Sequence, residues 1–120
     1  MNSTELQNLV RIGQLKLEKP DRNEFLGLVE SGRTRLKDAR IPGLSSESQF
    51  DLAYNAAHAF CLAALRLHGY RAANRFVVFQ AAQHTLGMPA NSVRILGRSH
   101  QLRNATEYEG QAPVTAAFLA

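Results

Sequence analysis

Apolar residues recur along this chain at spacings of three and four and seldom alternate in twos, the pattern of amphipathic helices rather than strands. It predicts a first helix from about Ser3 to Leu17, with Ser3 or Thr4 as N-cap and Leu6, Val10 and Leu17 as apolar contacts. Pro20 breaks that helix, because the residue before a proline is driven out of helical conformation. Asp21 is placed to cap a second helix to about Ala39, with a stripe of Phe25, Val29, Gly32 and Leu36. After Ile41-Pro42-Gly43, Ser46 with Gln49 matches a capping box and opens a third helix, from about Glu47 to His68. One stripe on it holds Phe50, Tyr54, Ala57, Cys61, Ala64 and His68; another holds Leu52, Ala56, Phe60, Ala63 and Leu67. A helix apolar on two faces belongs in the middle of a bundle.

Gly69 is a natural stop for the third helix. The fourth is expected from about Ala72 to Thr85, with Phe76, Phe79 and Ala81 or Ala82 buried. Gly87-Met88-Pro89 separates it from a fifth, from Ala90 to Tyr108 or Glu109, which Gly110 ends. A helix can restart at Pro113, where Val114, Ala117 and Phe118 begin an apolar face before the sequence stops at Ala120. So short a segment is marginal alone. Two expectations stay open: the last helix is truncated here, or it completes itself against a second chain. The fold class expected is all-α, one domain over residues 1–120, an up-and-down bundle of about five helices.

Composition agrees. Leu and Ala dominate the apolar set, and 120 residues suffice for one core without disulfides or metal staples. The single cysteine, Cys61, sits in an apolar stretch and reads as an inert core thiol. No apolar run approaches the roughly 18 residues of a membrane span. The first 16 residues are broken by Glu5, Gln7, Asn8 and Arg11, unlike a secretory signal. A cytoplasmic location without membrane contact is the expectation.

Charge changes the picture more by its placement than by its total of +4. From Leu52 to Thr106 there is no Asp or Glu, while Arg66, Arg71, Arg75, Arg94, Arg98 and Arg103 lie there with His58, His68, His84 and His100. Such a segment attracts phosphate or an acidic partner. In the plainer reading, the arginines solvate helix surfaces and pair with distant carboxylates.

The fifth helix holds the constellation with most chemistry. Its face runs from Val93 and Leu96 to His100, Arg103 or Asn104, then Glu107 and Tyr108, turning from aliphatic to polar while aimed at the bundle. Arg103 with Glu107 and His100 with Asn104 are four apart and can pair along the helix. This stripe is either a hydrogen-bonded network locking the helix in place or a pocket for phosphate or RNA. For the second, Arg103 supplies a fork of donors and Asn104 an orienting amide, with Arg94 and Arg98 on the same helix as further phosphate ligands. His100 titrates in the range useful for acid–base work.

Here the chain resembles the HEPN superfamily (higher eukaryotes and prokaryotes nucleotide-binding), over about Phe50 to Gly110. The carriers are Asp51-Leu52-Ala53-Tyr54-Asn55-Ala56-Ala57-His58, Leu67-His68-Gly69-Tyr70-Arg71, Gln83-His84-Thr85-Leu86 and, above all, Arg103-Asn104-Ala105-Thr106-Glu107-Tyr108. The resemblance implies a bundle of four or five helices, often a homodimer. It also implies either a metal-independent ribonuclease or a module that binds nucleotide or neutralises a partner nucleotidyltransferase in toxin–antitoxin or defence loci. Arg103-Asn104 matches the Arg-polar start of the family's motif, but Tyr108 stands where its histidine is expected. A tyrosine with a pKa near about 10 is a poor general base at neutral pH. The expectation is therefore a divergent, non-catalytic or regulatory branch, with Arg103, Asn104, Tyr108 and His100 as the candidate catalytic set should it cleave RNA. A purely structural interaction bundle is the third alternative.

No cofactor or metal is expected, since the histidines are scattered and no Gly-rich phosphate loop occurs. Ser99 and His100 are adjacent and point to different sides of a helix, which disfavours a Ser–His dyad. Phe76 and Phe79 with Tyr70 read as core rather than as a platform for bases.

Overall fold

The structure is a computed structural model that describes residues 4–108, with side chains from Thr4 to Arg103. It is an all-α bundle of five helices with one short antiparallel ribbon among the described residues. The elements are α1 (Thr4–Arg11), β1 (Leu15–Leu17), α2 (Arg22–Ala39), α3 (Ser46–Leu67), β2 (Tyr70–Ala72), α4 (Arg75–Thr85) and α5 (Ala90–Tyr108). The stretch from Glu109 onward, with Gly110 and the proposed final helix, lies outside the described residues, as does Ser3.

The first helix ends six residues early, at Arg11. Gly13, at φ 81°, supplies the left-handed residue of a Schellman stop: its N–H bonds the Val10 carbonyl and the Gln14 N–H bonds that of Leu9. The chain then runs extended, pairing Leu15 with Ala72, Lys16 with Arg71 and Leu17 with Tyr70. Leu15 is buried, while Leu17, on the same face at the far end of the strand, is exposed, so Leu17 is not the core contact expected of it. The same ribbon takes the residues assigned to the start of the fourth helix, which begins at Arg75 behind an Asn74 cap.

Asp21 caps α2, accepting from the N–H groups of Asn23 and Glu24. The cap of α3 is Ser45 rather than Ser46; its hydroxyl accepts from the Ser48 N–H. Helix α3 lies between the others, with α2 along one side and α4 and α5 along the other. Close approach of α2 to α3 depends on Gly32, where an added Cβ would stand 2.7 Å from the Phe60 ring. The core gathers Leu6, Leu15, Phe50, Tyr54, Cys61, Leu65, Tyr70, Val77, Val78, Phe79, Ala81 and Ala82. Leu67, placed on an inward stripe by periodicity, is exposed.

One core residue is charged. Arg66 is 1% exposed. Its Nε donates to Glu24 Oε1 at 2.8 Å, Nη1 to the carbonyls of Glu18 and Tyr70 at 3.1 Å each, and Nη2 to the Lys19 carbonyl at 2.9 Å. Above it Arg71 bonds Glu18 Oε2 at 2.6 Å and Glu24 Oε2 at 2.9 Å. The two guanidiniums and two carboxylates clamp the ribbon onto α2 and α3. Hydrogen bonds from Arg71 to Glu18, and from Arg66 and then Arg71 to Glu24, hold both carboxyls below their ordinary range. No described helix is long and apolar enough to cross a membrane.

Candidate functional site

The six arginines of the acid-free segment separate into three pairs. Arg66 and Arg71 are neutralised by Glu18 and Glu24, so the plainer reading holds for them. Arg75 and Arg103 converge on one buried ring, Tyr54, with guanidinium carbons 5.7 Å and 5.4 Å from its centroid. Arg94 and Arg98 line a groove between α4 and α5.

The Tyr54 centre is assembled from three helices. Tyr54, Asn55 and His58 fall within about one turn of α3, Arg75 opens α4, and His100 and Arg103 share a face of α5. The Tyr54 hydroxyl meets His100 Nδ1 at 3.0 Å. Arg75 Nη1 donates to Asn55 Oδ1 at 3.0 Å. His58 packs edge-on against Phe79, and Phe79 edge-on against Tyr54. Asp51 reaches the centre only through Asn55, whose amide nitrogen lies 3.4 Å from Asp51 Oδ1. Neither Asp51 nor Arg75 makes an ion pair among the described residues.

The electrostatics follow from burial first and from that crowding of cations second. Burial, then Arg75, Arg103 and His100, pushes His58 down to about 4. Burial, then Arg103 and Arg75, lowers His100. Both imidazoles are therefore neutral near pH 7, beside two fixed positive charges.

His100 and Arg103 thus do meet, and their partners are residues that periodicity had assigned to other roles. Tyr54 was placed in the core stripe, which is true of its ring and silent about its hydroxyl. His58 and Arg75 drew no notice singly; the available signal was the four-residue spacing of Tyr54 and His58, one face of one helix inside the acid-free segment. Arg94 and Arg98 do not join this centre. The side chains of Asn104, Glu107 and Tyr108 lie outside the described ones, so the pairings expected for them do too.

Other candidates resolve more simply. The Ser99 hydroxyl bonds the Ile95 carbonyl at 2.9 Å, turned away from His100. Cys61 is 2% exposed, and burial pushes its thiol up to about 11, as befits an inert core residue. Among the described residues no three of His, Cys, Asp or Glu are grouped to hold a metal. The chain matches no protein-family model, no curated protein and no solved structure.

Proposed function

We propose that this chain is a HEPN-like module that binds the phosphate backbone of RNA at the Tyr54 centre. The observation that carries the reading is the convergence of Arg75 and Arg103 on Tyr54, beside His58 and His100, with no ion-paired carboxylate for Arg75. Arginine forks suit phosphate oxygens, and a neutral imidazole beside them donates a hydrogen bond at no cost in charge. A second copy of the chain meeting at this face would double the centre, as homodimers of isologous contact do. Neutralisation of a nucleotidyltransferase in a toxin–antitoxin setting is the partner context that the resemblance implies.

The test is a titration of fluorescently labelled RNA with wild type, Arg75→Ala and Arg103→Ala at several salt concentrations. Each substitution should weaken binding across sequences and lower the slope of log affinity against log salt by about 1. If Arg103→Ala costs stability and leaves binding unchanged, the centre is a structural network instead.

One observation favours a second reading, metal-independent RNA cleavage. The Tyr54 hydroxyl orients the His100 imidazole through Nδ1 beside Arg103, and an imidazole so placed is the kind of group that moves protons in such a cleavage. Intact RNA after prolonged incubation with wild-type protein in chelator would end that reading and leave the first standing.

A further inference from the structure

We infer that the groove between α4 and α5 is a stacking site for one unpaired nucleobase of a single-stranded nucleic acid, next to the phosphate centre. Phe76 was expected in the core, yet it is 47% exposed while Phe79, one turn on, is 1% exposed. Its ring forms a wall of a groove of about 340 Å³ that Gly97, Arg94 and Arg98 line from α5. A Cβ at Gly97 would meet the Phe76 ring at 3.6 Å, an ordinary van der Waals contact, so α5 closes one edge of the ring and a base stacks on its exposed face. Arg94 and Arg98 line the same groove, and neither makes an ion pair among the described residues. Gln80 and Gln101 line it too, amides of the type that read base edges.

An aromatic ring and guanidiniums lining one groove is the arrangement by which proteins hold single strands: the ring stacks a base and the cations follow the backbone. The volume falls in the range of about 300–1,000 Å³ of small-ligand sites. Continuity with the phosphate centre comes through the same ring, since the centroids of Phe76 and His100 are 6.4 Å apart, as are those of His100 and Tyr54. A strand with a base on Phe76 therefore has its backbone within reach of the cations of the Tyr54 centre. The inference rests on the phosphate-binding reading and adds to it that the ligand is unpaired at this position.

The chain contains no tryptophan, so Phe76→Trp installs a single reporter in the groove. With a single-stranded RNA oligonucleotide, Phe76→Ala should bind roughly tenfold more weakly than wild type. Phe76→Trp should retain affinity and lose fluorescence on binding the single strand, but not on addition of inorganic polyphosphate or of the same RNA as a duplex. Because Phe76 is half exposed, the Ala variant is expected to fold; the Trp variant keeps the test decisive should it not. Unquenched tryptophan on saturation with RNA, equal quenching by polyphosphate, or wild-type affinity in a folded Phe76→Ala overturns the stacking site. If Arg103→Ala still weakens binding in those cases, the phosphate centre survives alone. Failure of wild type to bind RNA overturns both.

Discussion

The Tyr54 hydroxyl and His100 Nδ1, 3.0 Å apart, join α3 to α5 across 46 residues of sequence. Their rings lie within 26° of parallel at a centroid distance of 6.4 Å. A hydroxyl serves either imidazole tautomer, as donor or as acceptor. Tyr54 is 3% exposed, so water does not readily replace the partner it would lose. Tyr54→Phe should therefore cost about 1 kcal/mol, the net worth of a typical internal hydrogen bond. In a double-mutant cycle with His100→Ala, urea denaturation should return a coupling of about 1 kcal/mol. Strictly additive losses would show that the two groups do not act on each other.

Arg66 and Arg71 share both carboxylates, yet they should respond very differently to removal. The Arg66 side chain is 2% exposed and Arg71 is 38% exposed. Arg66→Ala leaves the carbonyls of Glu18, Lys19 and Tyr70 without their donor around a cavity, while Glu24 keeps Arg71, for a loss of about 3–5 kcal/mol. Arg71→Ala gives up a solvent-screened pair, for about 0–1 kcal/mol. Equal denaturation midpoints for the two variants would contradict the clamp.

The all-α class, the Asp21 cap and the middle position of α3 were legible because each depends on local chemistry: periodicity, a side-chain acceptor, two apolar faces. The ribbon is not, because three residues per strand offer no measurable alternation, and the helical periodicity runs on through Gly13, whose positive φ ends the helix. Arg66 looked like one more surface cation in an acid-free run; its carboxylate lies 42 residues earlier, and only the fold brings the two together. His100 and Arg103 were visible as a polar continuation of an apolar stripe. Their companions Tyr54, His58 and Arg75 were not, because a residue's hydroxyl or ring nitrogen leaves no trace in a pattern of burial.

Gly27 and Gly32 sit in the same helix and should answer Ala substitution with opposite signs. At Gly27 nothing lies within 4 Å of a new Cβ. Ala there gains helix propensity and should stabilise by up to about 1 kcal/mol. At Gly32 the Phe60 ring stands 2.7–2.9 Å away, and Phe60 must swing outward or α2 must move. That overpacking costs about 1–3 kcal/mol, enough to cancel or exceed the propensity gain. Thermal denaturation of the two variants compares them directly, and Phe60→Leu should recover part of the Gly32→Ala loss. A stabilised Gly32→Ala protein would mean that the helices are not held at this contact.

Acid should weaken this fold before its carboxylates begin to protonate. His58 in the unfolded chain titrates near 6.5 and in the folded protein near about 4, lowered first by burial and then by Arg75, Arg103 and His100. Between those values the unfolded state binds a proton that the folded state refuses, so stability falls as pH falls through the window and is unaffected above it. His100, lowered for the same reasons, acts in the same direction. Glu18 and Glu24 have folded values below 4.5, so their contribution is lost only at more acid pH. With His68, also lowered chiefly by burial, these imidazoles act alone from about 6.5 to about 4.5, with a slope of at most about 1.4 kcal/mol per pH unit for each. Urea midpoints from pH 7.5 to 5 should fall for wild type and fall less for His58→Gln. Phosphate bound between the guanidiniums opposes the field that holds the imidazoles neutral, so saturating polyphosphate should shrink the loss. A wild-type midpoint that is flat across this range, or a decline that His58→Gln leaves untouched, would show that His58 is not held neutral by burial beside these cations.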